Sequence, residues 1–88
     1  MKTIGSKEEF LYKMIIDNLT VTVDNNGRIV SDVLLGNLPK DKYTSDEVIE
    51  AINLVQDTLY DMYEKNPLVV NSDNFRDNLL QTIIKGRI

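Results

Sequence analysis

Any catalysis by this chain would have to rest on carboxylates, lysines or hydroxyls, because the sequence contains neither histidine nor cysteine. The ring that titrates nearest neutral pH and the strongest protein nucleophile are therefore both missing. The best remaining constellation is the acid series Asp57, Asp61 and Glu64, spaced by four and then three residues. On a helix that spacing stacks the carboxylates along one face. Two of them could there act as general acid and base or share a divalent cation. A solvated helix face explains the same pattern more simply, and nothing else in the chain marks these acids as lining a pocket. A noncatalytic protein is the expectation, with no catalytic residue, no metal site and no cofactor. A small carboxylate-based metal enzyme built on Asp57 and Asp61 is the most distant alternative.

Asp24-Asn25-Asn26-Gly27-Arg28-Ile29 has a superficial likeness to a calcium loop, which also places a glycine after acidic and amide ligands. With Gly27 at the sixth loop position, however, Thr22 falls at the first and Val33 at the twelfth, where the anchoring carboxylates belong. A hairpin turn accounts for the segment without metal. The remaining glycines are isolated, so no phosphate-cradling loop is present.

The acids are positioned by one long amphipathic helix. From Ser45 to Lys65, Val48, Ile52, Val55, Leu59 and Met62 recur at steps of four and three and define a buried stripe. The opposite side carries Glu47, Glu50, Asp57, Asp61 and Glu64, interrupted only by Leu54 and Tyr60. Apolar anchors in a negative field suit contact with a protein, and a basic one in particular. Glu47, Glu50, Leu54, Asp57, Tyr60 and Asp61 are accordingly the candidate partner-binding residues of this helix. Thr44-Ser45-Asp46-Glu47 is a capping box at its start, with Tyr43 and Val48 placed as a hydrophobic staple. Asn66-Pro67 should end it.

The other elements are predicted from similar signals. Ser6-Lys7-Glu8-Glu9 reads as a capping box opening a helix over residues 7 to 17, with Phe10, Leu11, Met14 and Ile15 as its buried stripe and Tyr12 and Ile16 flanking. Leu19-Thr20-Val21-Thr22-Val23 alternates as a half-buried strand. A three-residue loop, Asn25 to Gly27, would pair Val23 with Ile29 and Leu19 with Val33, keeping the apolar side chains on one face. A two-residue turn would mix the faces. The second strand should run from Arg28 to about Leu35, followed by a connector from Gly36 to Lys42. Leu68 to Val70 fits either a short third strand or an extended apolar plug. A last helix, capped by Asn71 or Ser72, should reach about Lys85, with Phe75, Leu79, Leu80, Ile83 and Ile84 on its apolar side. Asp73 and Asp77 lie near its positive end and Lys85 and Arg87 near its negative end.

The order helix, hairpin, long helix, helix defines a small α+β domain over residues 1–88, in which Leu19, Val21, Val23, Ile29 and Val33 cover the long helix. A chain of this size removes only roughly 60 to 65% of its unfolded surface from water, so modest stability is expected. The hairpin leaves Val30 and Leu34 on its outer face and two unpaired edges, which a second copy could cover. A homodimer using Val30 and Leu34 is the expected assembly. Net charge is −4, and the ten basic residues are scattered. Direct nucleic-acid binding is thereby disfavoured. There is no transmembrane-length apolar stretch and no signal-peptide pattern, so a cytoplasmic protein without a membrane partner is expected. The Lys-, Ile- and Asn-rich composition suits an AT-rich bacterial or phage genome. Taken together, the residues favour a protein-protein interaction module, a small regulator or inhibitor or a homo-oligomer subunit. An acidic nucleic-acid mimic that blocks a DNA- or RNA-binding protein is the alternative.

Overall fold

The computed structural model describes residues 6–38 and 41–87, without the side chains of Ser6 and Arg87. The Ser6 side of the first capping box, the Pro39-Lys40 part of the connector and the Arg87 charge lie outside the described residues. The elements run α1 (Ser6–Asp17), β1 (Leu19–Val23), β2 (Ile29–Val33), a 3-10 turn (Leu35–Asn37), α2 (Ser45–Lys65), a second 3-10 turn (Pro67–Asn71) and α3 (Phe75–Arg87). Among the described residues the architecture is α+β, with one antiparallel hairpin and three α-helices.

The hairpin adopts the register that segregates its faces. Leu19 pairs with Val33 and Val23 with Ile29. The Asp24 N–H donates to the Arg28 carbonyl at 2.9 Å, the Gly27 N–H to the Asp24 carbonyl at 3.1 Å, and Gly27 takes φ +77°. Only glycine enters that left-handed region without steric cost, which is why the loop closes there. The Asp24 carboxylate accepts from the N–H groups of Asn26 and Arg28, both at 2.9 Å, and fixes the turn from inside.

The core lies among the three helices rather than beneath the sheet. Buried side chains are Leu11, Tyr12, Ile15 and Ile16 of α1, Ala51, Val55 and Leu59 of α2, and Phe75, Leu79 and Ile83 of α3, joined by Leu19, Leu38 and Tyr43. Two predicted stripes are therefore rotated. In α1 the buried column is Leu11, Tyr12, Ile15 and Ile16, while Phe10 is 49% exposed with the Lys42 ammonium 5.7 Å from its ring centre. In α2, Val48, Ile52 and Met62 are only half-buried and Ala51 takes a central place. The cause is the placement of neighbours: α1 and α3 grip α2 along its Ala51 side, whereas the hairpin meets it mainly through β2. Leu19 is the only hairpin side chain fully in the core among the described residues, and Val23, expected to cover α2, is 47% exposed.

Leu68 to Val70 form neither a strand nor an extended plug. Asn66 ends α2, its side-chain oxygen accepts from the Leu68 N–H at 3.3 Å, and Pro67 starts the 3-10 turn. Proline's fixed φ favours such a first position, and the turn spends the backbone groups a third strand would need. The last helix consequently begins at Phe75, later than the predicted cap, with the Asn78 N–H donating to the Asn74 carbonyl. Arg76 then reaches back to the end of α1: its guanidinium donates to the carbonyls of Ile16 and Leu19, the latter at 2.8 Å. A cation at a helix C-terminus satisfies carbonyls that the helix leaves unpaired.

Candidate interaction surface

The N-terminus of α2 is built by the predicted capping box. The Glu47 N–H donates to the Thr44 hydroxyl at 3.1 Å, and the Thr44 N–H donates to a Glu47 carboxylate oxygen at 2.9 Å. That backbone donor holds the Glu47 carboxyl below the ordinary carboxylate value, and Lys7, 3.9 Å from its other oxygen, acts in the same direction. Lys7 also sits 5.2 Å from the centre of the Tyr43 ring, while the Tyr43 hydroxyl donates to the Lys7 carbonyl at 2.8 Å. Burial, and then the Glu47 charge, push the Tyr43 hydroxyl up. Glu47 and Tyr43 thus pin the start of α2 onto α1, so Glu47 has a structural task as well as a surface position.

The candidate contact residues do not form one patch. Glu47, Glu50 and Leu54 line a cleft of about 230 Å³ between α1 and α2, together with Tyr12 and Tyr43. Leu54 also borders, with Asp57 and Asp61, a shallow opening of about 320 Å³ against Thr82, Ile83 and Gly86 of α3. Leu54 is half-buried and packs against the core, which corrects its expected exposure. Tyr60 points the other way, toward the hairpin. Its hydroxyl lies 3.3 Å from the Ser31 hydroxyl, which also accepts from the Gln56 side-chain amide at 3.3 Å. One turn on, the Tyr63 hydroxyl donates to the Gly27 carbonyl at 2.9 Å. The separation follows from helical geometry: six residues advance the helix by about 240°, so Leu54 and Tyr60 cannot share a face.

Asp57 and Asp61 are both exposed, and Asp61 is paired with Lys65 at 3.0 Å. Among the described residues no group of three or more acidic side chains is placed to hold a metal ion. Val30 and Leu34 are 48% and 54% exposed, as expected of the outer hairpin face.

An apolar concavity larger than either of these openings lies elsewhere, between the first 3-10 turn and the N-terminal half of α2. It encloses about 370 Å³ and is lined by Leu35, Leu38, Tyr43, Ser45, Val48, Ile49 and Ile52. Leu35 and Ile49, on opposite walls, are 57% and 55% exposed. The buried-stripe pattern assigns Ile52 and Val48 to the core and passes over Ile49 and Leu35. A signal for this surface does exist in the sequence: Val48, Ile49 and Ile52 make the apolar arc of α2 wider than its neighbours can cover.

No described helix is long and apolar enough to cross a membrane. The fold and this surface define a small α+β domain with an open apolar groove. Comparison of the chain with protein-family models, with curated proteins and with solved structures finds no match in any of the three.

Proposed function

We propose that this protein is a noncatalytic, cytoplasmic interaction module, acting as a small regulator or inhibitor through contact with another protein. The carrying observation is the groove between Leu35 and Ile49, where large aliphatic side chains stand more than half exposed on facing walls. Scattered apolar residues on a surface are ordinary, but a concave group of them is the form that partner sites take. The catalytic alternative lacks comparable support, since Asp57 and Asp61 are both exposed to water at a shallow opening and Asp61 is paired with Lys65. A homodimer through Val30, Leu34 and the strand edges is a second reading, favoured by the turn conformation of residues 67–71, which leaves the described sheet with two strands.

A photo-crosslinking residue placed at Ile49 and, as control, at Gln81 on α3 tests the interaction module in cells expressing the protein. The expected outcome is a discrete cross-linked adduct from position 49 and none from 81. No adduct at 49, or an identical pattern from both positions, would remove this groove as a contact surface.

A further inference from the structure

We propose that the groove between the Leu35–Asn37 turn and the first half of α2 receives the apolar stripe of a basic amphipathic helix from the partner protein. This inference rests on the interaction-module reading and adds the chemistry of the occupant. Leu35, Val48, Ile49 and Ile52 give the groove apolar walls. It follows α2 from Ser45 to Ile52, about 10 Å or two helical turns. That length matches side chains at i, i+3 or i+4, and i+7 of an opposing helix.

The walls decide between a helix and an extended segment. In the 3-10 turn the Asn37 N–H is already bonded to the Leu34 carbonyl and the Leu38 N–H to the Leu35 carbonyl. An extended peptide pressed into the groove would find no backbone ladder to join and would bury unpaired amides. A helix arrives with its backbone bonds satisfied.

The rim decides the sign of the partner. Beyond Ile49 the exposed side of α2 presents Asp46 and, one turn on, Glu50, which also borders the cleft toward α1. No lysine or arginine is among the groove's described lining residues, and Lys42 is turned to the Phe10 ring. All of α2 carries six carboxylates against the single Lys65, more negative charge than the net −4 of the whole chain. A second copy seated here would bring two acidic rows together, whereas lysines or arginines flanking an apolar stripe would meet them.

Two synthetic helical peptides with the same leucine stripe, one flanked by lysine and one by glutamate, test this against the full chain by amide chemical-shift titration. The lysine peptide should shift the amides of Leu35, Ile49 and Ile52 and bind at least about tenfold more tightly than its twin, with affinity falling as salt rises. Ile49→Ser should weaken it about tenfold. The double change Asp46→Asn with Glu50→Gln should narrow the gap between the peptides several-fold. Equal binding of the twins, shifts confined to another surface, or no binding of the lysine peptide would overturn the basic-helix assignment. An adduct at position 49 alongside any of those results would leave the interaction module standing with a different partner chemistry.

Discussion

Glu47 shows how a surface carboxylate can be committed to the fold. Because Thr44's N–H holds its folded titration below the ordinary value of 4.5, the stabilisation it brings is fully present above that value. It is lost as pH falls through the lower folded value. Glu47→Gln should therefore flatten the acid side of the melting-temperature profile below about pH 4.5 while leaving its shape near neutrality unchanged. Thermal melts at successive pH values check this, and an unchanged acid limb would show that the cap is not the titrating contact. The sequence displayed this residue's role openly, since Thr44 and Glu47 stand at the spacing a capping box requires. It also displayed the loop residue Gly27. It did not display Arg76, whose contacts at Ile16 and Leu19 join positions far apart in the chain and carry no local pattern.

At the scale of elements, periodicity located α2 but did not say which column of its apolar arc lies deepest. Val48, Ile52, Val55, Leu59 and Met62 all satisfy the helical repeat. The neighbouring helices select Ala51, Val55 and Leu59 by packing along one side. A carboxylate at Val55 would be fully enclosed, costing several kcal/mol against a total of order 5 to 10 kcal/mol. Val55→Asp should abolish cooperative unfolding. Ile52→Asp, at the half-exposed groove wall, should cost about 1 to 2 kcal/mol and lower the melting temperature by roughly 4 to 16 °C. Glu50→Lys should leave the fold intact. Chemical denaturation of the three variants fixes the order, and an Ile52→Asp change as severe as Val55→Asp would place the groove inside the core. The ends of α2 were legible because capping boxes and Asn-Pro stops are local chemistry. The 3-10 turn at Pro67–Asn71 was not, since a short apolar run reads alike as strand, plug or turn.

For the molecule as a whole, the two-stranded sheet sets the question of assembly. Light scattering at micromolar concentration should give a mass above the 10.1 kDa of the single chain, rising with concentration, where the outer hairpin face pairs with a second copy. Leu34→Lys should return the mass to that of one chain, while Lys42→Glu should leave it unchanged. A constant 10.1 kDa for the parent protein would restrict contact to other proteins. The α+β class and the hairpin register were readable from the sequence because each rests on a repeating pattern. Of the groove, the wide apolar arc of α2 was readable but its second wall was not, because the placement of the Leu35–Asn37 turn beside α2 follows no repeating pattern.

The side-chain bonds from Tyr60, Gln56 and Tyr63 to the hairpin have a kinetic consequence. Beyond Leu19, the hairpin is fastened to α2 by hydroxyl and amide groups near water and by half-buried Val21, Ile29 and Val33, whereas the helices are fastened to one another by fully enclosed aliphatics. Such a boundary lets one part open while the rest stays closed. Amide hydrogen exchange should find Thr20 and Thr22, whose positions pair across the ladder with Asp32 and Val30, opening at lower free energy than Val55 and Leu59, and replacing Tyr60 and Tyr63 by phenylalanine should speed exchange in the hairpin alone. Uniform protection across both parts would contradict this. A hairpin that unlatches independently gives the chain a second conformation within thermal reach, with three helices still assembled.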